Sequence, residues 1–194
     1  MPGIVGILLA AGAGTRFGGD KLTYLLPDGT PIAVAAATAL LAACDHVVAV
    51  LRPDADDLAA MLIEVKCTIV RCPEAQAGMG HSLAAGVSAT ASAPGWVVAL
   101  GDMPFITSVS HKMVAARLRA GASLVATQCQ GRQGHPVGFS QVWFRQLSML
   151  TGDQGGKTIL EKHRQDLILC PVDDIGVVWD IDCREDLNDI PRLT

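Results

Sequence analysis

The sequence predicts a single-domain α/β fold in which helices cover both faces of a mostly parallel central sheet. Short apolar runs of strand length alternate with alanine-rich segments of helical length, which is the pattern of successive βαβ units. The chain has 194 residues, and 50% of them are hydrophobic, so one domain can bury a sizeable core. No internal repeat, low-complexity tract or linker divides the chain, and residues 1–194 are therefore predicted to form one domain.

Eight apolar runs are predicted to be strands, several of them rich in valine and isoleucine. They are residues 4–9, 46–51, 68–71, 97–100, 123–127, 134–139, 167–170 and 177–180. In open α/β sheets the loops at the carboxyl ends of the strands hold ligands. We therefore expect the functional residues in these loops.

Seven segments between the strands are predicted to be helical. Thr30 followed by Pro31 is a typical helix start, a capping residue and then proline at the first helical position. Thr107 or Ser108 is expected to cap a helix that ends at Gly121. The predicted helices are residues 31–43, 54–64, 81–91, 109–120, 141–150, 156–164 and 184–190.

Charge and hydropathy exclude several classes of protein. The formal net charge is -4, which argues against sequence-independent nucleic-acid binding, so a bound anion needs a local site. The apolar runs are far shorter than the roughly 20 residues that span a bilayer, and Met1 is followed by no basic leader. We expect a cytoplasmic protein without membrane or nucleic-acid partners, whose six cysteines are reduced and mostly buried.

A glycine-rich loop follows the first strand and spans residues 9–22 (LAAGAGTRFGGDKL). Small residues let backbone amides approach phosphate oxygens closely, although such a loop can also simply link a strand to a helix. A dinucleotide-binding spacing would need glycine at Phe17, and a Walker loop would need serine or threonine after Lys21. The loop instead carries two cations, Arg16 and Lys21, which suit the charge of a triphosphate.

Two acidic positions follow later strands. Asp102 comes directly after a buried strand, where its carboxylate would point into the ligand crevice, although an aspartate that starts a turn is common. Asp180 and Asp182 are two residues apart and would face the same way in an extended segment. Mg²⁺ takes one or two carboxylates together with substrate phosphates, which Asp102 and Asp182 could supply. Alternatively, Asp182 caps the helix that begins near Arg184.

Six motifs in this order resemble the family of molybdenum cofactor cytidylyltransferases, within the wider group of MobA-like nucleotidyltransferases. The likeness covers nearly the whole chain. The motifs are LAAGAGTRFGGDKL (9–22), GMGHSLAAG (78–86), GDMP (101–104), GRQGHPVGF (131–139), GDQGGK (152–157) and DIDCREDL (180–187). The chain departs from the family pattern at Lys157, where arginine is usual, and at Cys183-Arg184, where Thr-Pro is usual.

The resemblance implies a Rossmann-like nucleotidyltransferase fold and transfer of CMP from CTP to a molybdopterin-type cofactor, with release of pyrophosphate. It implies that Arg16 and Lys21 hold the triphosphate and act in catalysis together with Asp102. Mg²⁺ would be the cofactor, with Asp102 and Asp182 as its ligands. A recipient molybdoenzyme or its chaperone would be a further partner.

The remaining site residues are likewise implied by the resemblance. Residues 131–194 would bind the acceptor and complete the metal site, with His135 and Lys157 as acceptor contacts, although His135 could equally make a structural hydrogen bond. The Ala-Ala-Gly at residues 10–12, where guanylyl-transferring relatives usually show Ala-Gly-Gly, favours cytosine. The implied nucleotide-binding residues are Ala10, Ala11, Gly12, Gly14, Arg16, Lys21, Gly78, Gly80, Ser82 and Asp102.

Several alternatives fit the same residues. A guanylyltransferase, or an enzyme that acts on a sugar or alditol phosphate, would use the same loop. A glycosyltransferase would use Asp180 and Asp182 as a D-x-D metal motif. A non-catalytic nucleotide-binding protein could instead deliver the cofactor to a molybdoenzyme.

Overall fold

A computed structural model describes residues 3–12 and 17–187 and contains one seven-stranded sheet. The strands are β1 (Val5–Leu9), β2 (His46–Leu51), β3 (Thr68–Arg71), β4 (Gly95–Leu100), β5 (Leu124–Cys129), β6 (Arg132–Ser140) and β7 (Leu167–Pro171). Their order is β3-β2-β1-β4-β6-β5-β7, and β6 runs antiparallel to both of its neighbours while the other pairs are parallel. The predicted mostly parallel sheet is confirmed.

Helices cover both faces of the sheet, as predicted. They are α1 (Ile32–Leu41), α2 (Asp56–Glu64), α3 (Met79–Ala89), α4 (Ser108–Arg119), α5 (Phe144–Ser148) and α6 (Lys157–Lys162). The apolar sides of α1, α2 and α4 share one buried cluster with the strands, and those of α3, α5 and α6 share a second. Strands β1, β2 and β4 are therefore buried almost throughout between the two helical layers, which explains their continuous apolar runs. None of the helices within the described residues has the length and apolarity needed to cross a bilayer.

Strand β1 places the glycine-rich loop beside Asp102. All five of its residues are buried, and it pairs in parallel with β2 on one side and β4 on the other. Leu9 lies opposite Leu100, and the Gly101 amide donates a hydrogen bond to the Leu9 carbonyl at 2.9 Å. The loops that leave these two strands therefore start side by side at the same edge of the sheet.

Three predictions about local structure are wrong. Residues 177–180 are not an eighth strand, because Ile175–Val178 forms a 3-10 turn. Helix α1 starts one residue later than predicted, so that Pro31 occupies the capping position and Thr30 lies outside the helix. For the predicted helix 184–190, the described part contains only the 3-10 turn Glu185–Leu187, and residues 188–190 lie outside the described residues.

The 3-10 turn at Ile175–Val178 is fixed by the buried carboxylate of Asp174. This carboxylate accepts hydrogen bonds from the Thr107 amide at 3.0 Å, the Thr107 hydroxyl at 2.8 Å, the Ser110 hydroxyl and the Gly176 amide at 3.1 Å. A buried carboxylate with four hydrogen-bond donors has its acceptor capacity satisfied. It joins the C-terminal segment, residues 174–187, to the first turn of α4. A side chain at Gly134 would collide with the Val177 carbonyl, so this segment lies directly on β6.

We predict that Asp174→Asn lowers the free energy of unfolding by about 1–3 kcal/mol, because an amide cannot accept from all four donors and leaves buried groups unpaired. Urea denaturation followed by circular dichroism measures this change. The matched control is Asp173→Asn at the exposed neighbouring position, which should leave the midpoint unchanged. Equal stability of the two variants would contradict the anchoring role of Asp174.

Candidate active site

Lys21, Asp102 and Asp182 meet at the carboxyl end of the sheet. The Lys21 Nζ atom lies 2.8 Å from the Asp102 Oδ2 atom and 3.7 Å from the Asp182 Oδ1 atom. The lysine side chain is 10% exposed, whereas those of Asp102 and Asp182 are 26% and 50% exposed. An ammonium group that is this buried requires an anionic or polar partner, and here it has two.

A short turn presents the lysine. Lys21 begins the 3-10 turn Lys21–Thr23, which is closed by hydrogen bonds from the Lys21 amide to the Gly19 carbonyl and from the Tyr24 amide to the Lys21 carbonyl. The side chain of Leu22 packs against the apolar clusters below, so the turn is held on the body of the domain. Lys21 is therefore presented by local backbone geometry after the glycine-rich loop.

Asp182 reaches the same place through contacts of the C-terminal segment. The Ile181 amide donates to the Asp102 carbonyl at 3.0 Å, and the Ile181 side chain is fully buried. The Asp186 carboxylate accepts from the amides of Asp182 and Cys183, each at 2.7 Å. Asp102 and Asp182, which are far apart in the sequence, therefore both lie within 4 Å of the Lys21 Nζ atom.

A third carboxylate adds to the negative charge. Burial raises the pKa of Asp180 above its ordinary value, and the nearby charges of Asp182 and Asp102 raise it further. Asp180 therefore adds negative charge to the neighbourhood of Lys21, Asp102 and Asp182, which favours the binding of cations here. Among the described residues, no three His, Cys, Asp or Glu side chains converge closely enough to hold a metal alone. A metal here would need further oxygen atoms from a ligand.

A cavity of about 350 Å³ opens next to this cluster. Six predicted nucleotide-binding residues line it, namely Ala11, Gly12, Lys21, Gly78, Ser82 and Asp102. Ala10 is buried and lines an adjoining cavity of about 270 Å³. The predicted residues Gly14 and Arg16 lie outside the described residues.

Sequence reasoning missed several residues that line the same cavity, among them Arg52, Gln76, Met79 and Asp153. Arg52 follows β2, and its guanidinium lies 3.5 Å from Asp54 and 3.9 Å from Asp20. Its position at a strand end was a usable signal, because that is where ligand-binding loops begin. Arg52 supplies a second cation near Lys21 within the described part of the site.

Gly78 and Gly80 are explained by packing of the chain on itself. Gly78 has a φ of 128°, and a side chain there would collide with the backbone of Gly152. The Gly80 amide donates to the Gly152 carbonyl at 2.8 Å, and the Gly152 amide donates to His81 Nδ1 at 3.1 Å. The start of α3 and the loop around Gly152 are therefore docked together. Gly78 still lines the cavity, but Gly80 lies beneath this loop.

A second cleft of about 580 Å³ contains both predicted acceptor residues, His135 and Lys157. Leu9, Met79 and Asp153 line this cleft and also the 350 Å³ cavity, so the two spaces adjoin. The walls combine the apolar side chains of Leu83, Val98, Val137 and Leu160 with the charged side chains of Lys157, Glu161 and Arg164. The cleft can accommodate a ligand with one apolar part and one charged part.

His135 is an uncharged group at neutral pH. His135 is half-buried and lines the cleft, and burial lowers its pKa to about 4. The Asp102 carboxylate opposes this shift, and His111 adds to it. His111 is buried in α4, its Nδ1 atom lies 3.0 Å from the Thr107 carbonyl, and burial also lowers its pKa.

We predict that the free energy of unfolding decreases as pH falls from about 6.5 to 4, because the unfolded chain then binds protons that folded His135 and His111 do not. One such group contributes a slope of at most about 1.4 kcal/mol per pH unit. The variant His135→Gln should lose less stability than the parent protein across this interval in urea titrations at stepped pH. His46→Gln, at an exposed position, should keep the parent slope. Identical slopes for all three proteins would contradict the burial of His135 as a neutral group.

Comparison with known proteins identifies the family of this chain. Residues 6–167 match the MobA-like NTP transferase domain. The chain belongs to this family. The predicted resemblance to MobA-like nucleotidyltransferases is confirmed at this level, because the match spans most of the chain, including the glycine-rich loop and Asp102.

Two relatives align over nearly their full length. The purine catabolism protein PucB of Bacillus subtilis (strain 168) is 29% identical, and the alignment covers 98% of this chain and 97% of the relative. Nicotine blue oxidoreductase of Paenarthrobacter nicotinovorans is 31% identical over 96% of both chains. Both are similar to this chain from end to end.

Solved structures share the fold. Rv0371c from Mycobacterium tuberculosis H37Rv superposes with a TM-score of 0.82 at 24% identity, covering 97% of both chains. The same protein solved in complex with manganese has a TM-score of 0.78. A 4-diphosphocytidyl-2C-methyl-D-erythritol synthase from Anaerococcus prevotii DSM 20548 has a TM-score of 0.77 at 15% identity, covering 97% of this chain and 94% of that one. The nucleotidyltransferase fold is confirmed.

Proposed function

We propose that this protein is a magnesium-dependent cytidylyltransferase that transfers CMP from CTP to a molybdopterin-type cofactor and releases pyrophosphate. One observation carries the proposal. The Lys21 ammonium lies between the carboxylates of Asp102 and Asp182, beside a cavity lined by the glycine-rich loop. Membership of the MobA-like NTP transferase family supports nucleotidyl transfer, whereas CTP and the acceptor are the finer parts of the proposal.

The donor set fits a magnesium ion. Asp102 and Asp182 both lie within 4 Å of one cationic atom, so two carboxylate oxygens already share a site for positive charge. Mg²⁺ binds through one or two carboxylates and completes its shell with phosphate oxygens and water, which agrees with the absence of a third converging ligand among the described residues. We assign Asp102 and Asp182 as its ligands. When bound, the ion would neutralise the charge of the triphosphate.

The chemistry requires alignment more than proton transfer. A phosphate oxygen of the acceptor would form a bond to the α-phosphorus of CTP, while the bond from that phosphorus to the bridging oxygen breaks and pyrophosphate leaves. This nucleophile is already anionic, so the protein needs no general base. Lys21 and Arg16 would hold the triphosphate, with Lys21 near the α-phosphate, and stabilise the charge that develops.

The adjoining cleft would receive the acceptor. Lys157 would attract its negative charge, whereas His135 is neutral at pH 7 and would contact the acceptor through a hydrogen bond. The apolar walls of this cleft suit a flat heterocycle. This cleft adjoins the 350 Å³ cavity, where CTP would bind, so the acceptor phosphate would lie near the nucleotide.

Two of the alternatives gain nothing from the geometry. For a glycosyltransferase, Asp180 and Asp182 would form the D-x-D motif, but they follow a 3-10 turn rather than a central strand. A purely binding role leaves the paired Lys21 and Asp102 without a purpose. The guanylyltransferase and sugar-phosphate alternatives use the same site and differ only in substrate, so substrate screens separate them.

The experiment that tests the proposal is pyrophosphate release from CTP, GTP, ATP and UTP with purified molybdenum cofactor and Mg²⁺. We expect release with CTP. Release with GTP alone would overturn the base assignment, and release only with sugar phosphates would overturn the acceptor. Because one relative is named an oxidoreductase, NADH and NADPH oxidation is followed in parallel, and redox turnover without pyrophosphate release would contradict the proposal.

We predict that Lys21→Ala and Asp102→Asn each lower pyrophosphate release by about 100-fold or more, because each removes a charge that acts on the triphosphate or its metal. Circular dichroism should show folded proteins. Lys112→Ala and Asp173→Asn, both at exposed positions, serve as matched controls and should keep the parent rate. Parent-like turnover by either site variant would disprove its assigned role.

We predict that Ala11→Gly shifts nucleotide preference toward GTP. The Ala11 methyl group is buried against the cavity, and its removal enlarges the space near the base. One methyl group is worth about a tenfold change in discrimination. The ratio of kcat/KM for GTP to that for CTP measures the shift. An unchanged ratio would show that base selection does not depend on Ala11.

A further inference from the structure

Resting on the proposed function, we propose that Arg184 is a positioning residue that holds the Asp182 carboxylate at the metal site by stacking on Phe17 and Tyr24. Divalent-cation affinity then depends on a guanidinium, a group that is itself cationic and cannot serve as a metal ligand.

The guanidinium contacts two aromatic rings at once. The Arg184 Cζ atom lies 5.7 Å from the Phe17 ring centroid and 5.6 Å from that of Tyr24. The two rings meet edge to face, with centroids 5.2 Å apart and planes inclined by 72°. Phe17 is buried and Tyr24 is partly exposed, so the pair is a fixed platform with one face open to Arg184. Cation–π contacts of this kind stabilise by about 0.5–1 kcal/mol at exposed positions.

The two rings flank the turn that carries Lys21. Phe17 precedes the turn Lys21–Thr23, and Tyr24 is the residue that caps its end. Arg184 lies two residues after Asp182 in the C-terminal segment. The stacking contact therefore joins the segment that supplies Asp182 to the turn that supplies Lys21.

Asp182 is half exposed, and the residues on both sides of it fix its backbone. On its N-terminal side, Ile181 is fully buried and its amide donates to the Asp102 carbonyl. On its C-terminal side, the stacking of Arg184 and the acceptor Asp186 hold the chain. Supports of this kind fix the position of a ligand before the metal arrives, and their loss weakens binding.

The test compares Arg184→Gln with the parent protein and with Arg184→Lys, which keeps the charge and part of the stacking. Arg117→Gln, at an exposed position of α4, is the matched control. Free Mn²⁺ is measured by electron paramagnetic resonance in the presence of a non-hydrolysable CTP analogue, and the Mg²⁺ concentration for half-maximal pyrophosphate release is measured separately. Melting temperature is recorded for each variant.

We expect Arg184→Gln to raise the half-saturating Mn²⁺ concentration by about fivefold, the equivalent of about 1 kcal/mol, and to lower the melting temperature by no more than about 2–4 °C. Tyr24→Leu should produce the same change, Arg184→Lys should recover part of it, and Arg117→Gln should match the parent. Affinity for the CTP analogue without metal should remain the same in all variants.

Three outcomes would overturn the inference. They are unchanged Mn²⁺ affinity in Arg184→Gln, an effect of Arg184→Gln that Tyr24→Leu does not share, and an equal loss of metal-free nucleotide binding, which would make Arg184 a direct nucleotide contact. The proposed function fails separately. Mn²⁺ binding by the parent protein without any pyrophosphate release would contradict the reaction and leave the positioning role of Arg184 intact.

Discussion

The ion pair between Lys21 and Asp102 is the interaction on which the site depends. It joins the turn after the glycine-rich loop to the end of β4, two elements that are far apart in the sequence. Because Lys21 is almost completely buried, the pair is stable only while the loop, the strand and the C-terminal segment keep their positions. Catalytic geometry and local packing are therefore coupled at this point.

The C-terminal segment adds a second carboxylate, Asp182, to the ion pair of Lys21 and Asp102. It is attached by the buried Asp174 carboxylate at one end, by the Ile181 backbone in the middle and by Arg184 at the other end. These contacts bring a half-exposed carboxylate, Asp182, to within 4 Å of a lysine on the opposite side of the cleft. The carboxyl end of the sheet determines where the site lies, and the C-terminal segment contributes the Asp182 carboxylate to it.

The sequence was sufficient where local chemistry decides structure. The apolar runs predicted β2 and β3 with the bounds that the structure has, and the strand ends predicted the location of Lys21 and Asp102. The prediction of a strand at residues 177–180 is wrong. Val177 and Val178 have the side chains typical of strands, but Val177 is buried by packing against β6 and not by pairing in the sheet. Gly80 was predicted to bind the nucleotide. In the structure, its lack of a side chain allows close packing against the loop at Gly152. Such contacts between distant segments have no signature in local sequence.

On the proposed function, Asp102 and Asp182 share one divalent cation while Lys21 binds the nucleotide. A crystal structure with Mg²⁺ and a non-hydrolysable CTP analogue tests this most directly. We expect one Mg²⁺ bound by Asp102, Asp182 and phosphate oxygens, with Lys21 turned from the carboxylates to the triphosphate. Lys21 still paired with Asp102 and a nucleotide bound elsewhere on the protein would contradict it.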